Sequence, residues 1–144
     1  MDIVYYRTTK GYAPAKAYIQ ARYGQFPNDS PKIIAVKIRT FAKVESVIEM
    51  AANSPDGRVG GTFSSTLTGY SFNEFRLKEG RELVRILYFP YQLQQIVLLD
   101  AYDKPENYTK AEKKKIEKEI AEIHDRAQEY YNDFIRNPKN HEPF

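Results

Sequence analysis

An arginine in the middle of an apolar strand is the residue best placed to do chemistry in this chain. Arg85 lies within LVRILYF, Leu83 to Phe89, flanked by Leu83, Val84, Ile86 and Leu87. A charge there is costly to bury unless it is paired. It therefore either crosses the sheet to an acid such as Glu74 or Asp100, or faces a solvent-filled groove. On the preceding segment Arg76 and Lys78 stand two apart and share a face, while Tyr102 and Lys104 finish the following one. A basic surface of this kind suits an anionic partner, nucleic acid among them.

The other routes to catalysis are thin. With no cysteine, disulfides, thiolate metal sites and a cysteine nucleophile are all closed. Two histidines, His124 and His141, have no partners at metal-ligand spacing and read as structural or solvated, so neither a metal nor a cofactor is expected. Gly60 and Gly61 lack the lysine that a phosphate-binding loop places after them and read as a turn. Glu112, Glu117, Glu119 and Glu122 interleave with Lys113, Lys114, Lys115 and Lys118, the pattern of a solvated helix face. Twelve tyrosines without a tryptophan suit base stacking and protein interfaces equally.

The elements that must carry the basic residues can be read from periodicity. Asp2 to Arg7 is β-prone and closes in a turn. Pro14 opens a short helix that ends at Gly24. From Pro31, Ile34, Ile38, Phe41, Val44 and Ile48 recur at the helical period through to Ala52. Asn53 to Gly61 reads as a flexible loop. Then the period changes. Ser71 to Lys78 alternates, with Phe72, Glu74, Arg76 and Lys78 on one face. After a turn at Glu79 and Gly80, Leu83 to Phe89 and Gln95 to Tyr102 complete an antiparallel meander. Thr109 and Glu112 form a capping box for a long last helix with a stripe of Ile116, Ile120, Ile123, Ala127, Tyr130 and Phe134, ending near Arg136.

These readings predict one α+β domain over residues 1–144. Its helices pack on one antiparallel sheet in the order β-α-α-β-β-β-α, with a long C-terminal helix, and Asn137 to Phe144 is a polar tail expected to fray. The formal net charge is +3, and Met1 to Ala52 holds eight Lys or Arg against four acids, which a solvated helix face also explains. No apolar run approaches the length of a membrane span and Met1 to Tyr12 has no secretion signal, so a cytoplasmic protein is expected.

FNEFRLKEGRELVRILYF, then QIVLLDAYDKP and the capped helix TKAEKKKIEKEIAEI, resemble the core of the RelE/ParE toxin superfamily, nearest its HigB-like, phage-associated branch. The likeness spans Phe72 to Ile123. In that branch an E-x-R element, a short turn and G-R lead into a Y/V-R-I-L-Y-F strand, an apolar strand, an aromatic residue, a lysine and a capped helix. Here Glu74, Arg76, Gly80, Arg81, Val84, Arg85, Tyr88, Phe89, Tyr102, Lys104 and Thr109 take those places. The chain is longer than the family pattern, and the tyrosine-rich end of its last helix, Glu129 to Phe134, is expected to self-pair or to receive an antitoxin.

The resemblance implies a RelE-like fold and a type II toxin of a toxin–antitoxin system. Such a toxin is a ribosome-dependent, metal-independent endoribonuclease that cuts mRNA and so inhibits translation. It implies catalytic roles for Arg85, Arg76, Lys104 and Tyr108, and RNA or phosphate contacts for Lys78, Arg81 and Tyr102. The implied partners are the ribosome, mRNA and a cognate antitoxin with a DNA-binding helix-turn-helix, and no membrane. Two alternatives stand beside it. One is a non-nuclease toxin that inhibits gyrase. The other is an inactive regulatory module that keeps the fold for its antitoxin, favoured by the acidic neighbours Glu79, Glu82, Asp100 and Asp103.

Overall fold

The β-branched and aromatic runs of the middle third form the centre of a six-stranded sheet in the computed structural model, which describes residues 1–144. In chain order the elements are β1 (Asp2–Tyr6), α1 (Pro14–Tyr23), α2 (Pro31–Ala52), β2 (Ser64–Thr66), β3 (Asn73–Glu79), β4 (Glu82–Tyr91), β5 (Gln95–Pro105), α3 (Lys110–Arg136) and β6 (His141–Pro143). The sheet order is β2-β3-β4-β5-β1-β6. Strands β3 to β5 form the expected antiparallel meander, and β2, which no periodicity announces, adds a short antiparallel strand beside β3. The reversal between β3 and β4 needs only Gly80 and Arg81, because Gly80 adopts a φ of 60° that glycine tolerates without strain.

The sheet is mixed, not antiparallel, since β1 runs parallel to β5 with Ile3 opposite Ile96 and Tyr5 opposite Leu98. No hairpin joins these strands, so nothing in the local sequence sets their relative direction. The tail does not fray either. It forms β6, antiparallel to β1 with Tyr5 opposite Glu142. The Glu142 carboxylate accepts from Lys16 and lies 3.7 Å from Arg7, and the Phe144 ring packs 5.3 Å from Tyr5. These anchors are pairwise and non-local, so no periodicity announces them. The loop after α2 is also tied down: the buried Tyr88 hydroxyl donates to the Gly57 carbonyl at 2.9 Å.

Alternation along the strands makes two cores. On one face Phe75, Leu77, Val84, Ile86, Tyr88 and Leu98 meet Ile19, Val44, Ile48 and Ala51 of α1 and α2. On the other, Val4, Leu87, Phe89, Val97 and Leu99 meet Ala127 and Phe134 of α3. The helices therefore cover both faces of the sheet. Each begins where its first residues predict, α1 at Pro14 without a side-chain cap. Pro31 opens α2, whose Ser30 Oγ accepts from the Ile33 N–H, and the capping box of Thr109 and Glu112 closes around the start of α3. No helix is long and apolar enough to cross a membrane.

One irregularity decides what faces α3 at the far end of the sheet. Leu87 pairs with Asp100 but Tyr88 with Leu98, so Leu99 is an extra residue on β5. After this bulge the parity of β5 is inverted. Asp100 reaches the α3 side, where its Oδ2 accepts from Arg126 at 3.0 Å, while its Oδ1 accepts from the Ala101 N–H at 2.9 Å.

Phe134 has no exposed side-chain surface and makes edge contacts with Phe89 and Tyr91, so it is the principal anchor of α3. Replacing it by alanine is expected to cost about 3–5 kcal/mol, measured by urea denaturation.

Candidate functional site

The cations of the meander are brought together on the face that α3 covers. Alternation along β3 places Glu74, Arg76 and Lys78 there, beside Phe72 in the α3 core. The β5 bulge brings Tyr102 to the same side. Pairing then aligns Arg76 with Arg85 and Arg85 with Tyr102, one row across three strands. The next row runs from Lys78 through Leu83 to Lys104. Directly opposed side chains on a sheet have Cβ atoms about 5 Å apart, so the two guanidiniums are immediate neighbours.

Like charges at that spacing repel, and Glu74 offsets the repulsion. Its Oε1 accepts from Arg76 Nε at 2.7 Å and lies 4.0 Å from Arg85 Nε. Glu74 is buried and Arg85 nearly so, at 13% side-chain exposure, whereas the Arg76 side chain is 44% exposed. Burial pulls the Arg85 pKa down, Glu74 opposes that, and the Arg76 charge adds to it. Asp100 is not Arg85's partner, because Arg126 has taken it. Glu79, Glu82 and Asp103 do not neutralise this row either, since all three are held by Arg22 of α1 on the opposite face.

Behind Tyr102 stands His124, with Nε2 3.1 Å from the hydroxyl and its ring edge-on to Tyr70, Phe72 and Tyr102. The imidazole is therefore packed into the aromatic cluster beside Tyr102, a placement that a structural histidine also has. Burial lowers its pKa, against the pull of Glu74 and Asp125, and favours the neutral ring. Burial raises the Tyr102 pKa, helped by Glu74 and opposed by Arg85 and Arg76, so the phenol keeps its proton. A sequence signal for His124 existed: it lies four residues after Ile120 and three before Ala127, on the stripe that α3 turns to the sheet. His141 sits apart, its Nδ1 2.8 Å from the Pro138 carbonyl oxygen.

The remaining predicted residues are distributed around this centre. Lys78 reaches Glu106 at 2.8 Å, and Lys104 is half-buried without an ion pair. Arg81 is exposed on the β3–β4 turn. Tyr108 comes just before the Thr109 cap of α3 and makes no hydrogen bond to the row, so the structure does not join it to the others. A groove of about 330 Å³ opens along the sheet here, lined by Thr62, Phe63, Arg76, Lys78, Leu83 and Arg85. No group of three or more His, Asp or Glu side chains is arranged to hold a metal ion. Chemically, the arrangement offers two guanidiniums for an anion, a protonated phenol and a neutral imidazole behind it.

No protein-family model matches the chain, and no curated protein is similar to it at a significant level.

The lowered His124 pKa has a definite sign in stability. In the unfolded chain the ring takes up a proton near its ordinary value of 6.5, whereas the folded state resists until a lower pH. This contribution is complete above the ordinary value and is lost as pH falls from there through the folded pKa. His124→Gln is therefore expected to flatten the decline in urea midpoint between pH 7.5 and 5.5 relative to the unsubstituted protein.

Proposed function

We propose that the chain is the toxin of a type II toxin–antitoxin pair, cutting mRNA on the ribosome through the Arg76–Arg85–Tyr102 row. The observation that carries this reading is the register of that row: two guanidiniums side by side on an open groove, next to a phenol backed by a neutral imidazole. Such a set fits RNA transesterification, which needs cations for the charge gathering on phosphorus and groups that move two protons.

In the proposed step the RNA 2′-oxygen attacks the adjacent phosphorus. Tyr102 accepts the 2′-OH proton as it passes its own to His124, which requires the Nδ1-protonated tautomer of the ring. The O2′–P bond forms, the P–O5′ bond breaks, and Lys104 protonates the departing O5′, leaving a 2′,3′-cyclic phosphate. Arg85 and Arg76 hold the non-bridging oxygens. Glu74 takes only Arg76 Nε, so the outer guanidinium nitrogens stay free for phosphate. Lys78 and Arg81 extend the positive surface along the strand. The groove is shallow, and the decoding site supplies most of the positioning of the mRNA. An antitoxin with a helix-turn-helix keeps the protein silent.

The test is induced expression without antitoxin, following growth and mapping mRNA 5′ ends by primer extension. The unsubstituted protein is expected to arrest growth with new in-frame cleavage sites, and Arg85→Ala to lower cleavage about 10²- to 10³-fold. Arrest without cleavage would point to gyrase. No arrest would identify a module in which the Glu74 pairing has silenced the arginines.

A further inference from the structure

Three neighbouring cavities share wall residues around the outer edge of β3. The first is the groove on the sheet face. The second, about 430 Å³, is an apolar slot over the edge, lined by Lys43, Val47, Met50, Phe63, Leu77 and Lys78 among others. The third, about 500 Å³, lies between α2 and the β3–β4 turn, with Arg22, Lys37, Arg39, Lys43 and Lys78 on its walls. Lys78 lines all three and Lys43 the last two.

The edge is open for a simple reason. Strand β2 is three residues long and pairs only with Asn73 to Phe75. The Phe63 carbonyl takes the Arg76 N–H at 2.8 Å, and beyond that point the outer side of β3, away from β4, has no strand beside it. The cations along the path are of two kinds. Arg22 is committed to Glu79, Glu82 and Asp103, and Lys37 to Asp29 and the Gly24 carbonyl. Arg39 and Lys43, one helical turn apart on α2, are exposed and have no acidic partner, and Lys78 is 61% exposed despite Glu106. Between these cations Phe63 and Met50 present exposed apolar side chains.

We infer that this path is a second contact region for single-stranded RNA, in which Arg39 and Lys43 hold backbone phosphates and the slot between Lys43 and Lys78 takes a nucleobase against Phe63. The inference rests on the RNA reading of the arginine row, from which the path continues. Cation, apolar slot and cation follow one another as phosphate, base and phosphate do along a strand, and aromatic platforms beside basic grooves accept bases of any identity. An acidic protein segment would use the cations but has no particular need of an exposed ring beside them.

The test is equilibrium binding, which needs neither ribosome nor cleavage. The probe is a fluorescein-labelled 2′-O-methyl dodecauridylate, which the site cannot cut, read by anisotropy from low to moderate salt. Arg39→Gln/Lys43→Gln, made on an exposed helix face, is expected to weaken binding about tenfold or more at low salt. It should also reduce the slope of log K against log salt by about 1.4, since each single-strand phosphate contact contributes about 0.7. Phe63→Ala is expected to weaken binding at least about fivefold without changing the slope, and to leave binding of a fluorescent polyglutamate unaffected. Unchanged melting temperatures check that the variants fold. If the α2 variant binds like the unsubstituted protein while Arg85→Ala does not, RNA is confined to the sheet face, so the inference fails and the site reading stands. If Arg85→Ala is equally without effect, or the probe does not bind at all, both fail. If polyglutamate binds as tightly and loses as much with Phe63→Ala, the slot serves an acidic protein segment and the inference is overturned.

Discussion

A buried carboxylate on β5 sets the geometry on which the rest of the sheet face depends. At the bulge Asp100 accepts the Ala101 N–H with one oxygen and Arg126 with the other. Burial raises its pKa, and those two donors oppose the rise. An ionised carboxylate in such a place is tolerable only with its oxygens satisfied. The result is a fixed half-step in the strand. It turns Tyr102 toward Arg85, and through Arg126 it ties α3 to the sheet two residues beyond His124. Phenol, imidazole and guanidinium therefore share one space because of a one-residue bulge that this carboxylate braces.

Charge is partitioned between the two faces by equally local means. On the α3 side a single carboxylate, Glu74, sits between two arginines. On the α1 side one arginine, Arg22, gathers three carboxylates, at 2.9 Å from Glu79, 3.0 Å from Glu82 and 2.8 Å from Asp103. Tyr18 donates to Asp103, and Tyr23 to Glu79 at 2.5 Å. Burial and these carboxylates drive both tyrosine pKa values well upward, so both phenols remain donors. The acids near the β3–β4 turn are thus drawn to α1, and the opposite side of the same strands keeps its positive character.

Much of this was legible in the sequence, and the exceptions share a cause. Alternation from Phe72 to Lys78 identified the face that carries Glu74, Arg76 and Lys78, and the Thr109–Glu112 capping box located the start of α3. Period-based reading handles such features because they are local. A bulge is a one-residue insertion that an unbroken apolar run such as QIVLLDAY conceals. The parallel pairing of β1, the docking of His141–Phe144 and the meeting of His124 with Tyr102 each join distant segments through one or two side chains. Arg85 shows the boundary well: sequence required a partner or a groove, and the structure supplies both, with Glu74 as the partner. Tyr108 lies in the segment that enters α3, just before the Thr109 cap, and makes no hydrogen bond to the row.

The brevity of β2 and β6 has a consequence for many copies of the chain crowded together. Each outermost strand is three residues long, and one consists of Ser64, Ser65 and Thr66 while the other ends in Pro143. A growing fibre needs a long, flat rim on which the next molecule can lay its backbone; these strands end almost as soon as they begin, and where β2 stops the open edge of β3 carries the charged Arg76 and Lys78. The molecule is thereby guarded against stacking edge to edge with itself while the interior strands stay long enough to carry the arginine row.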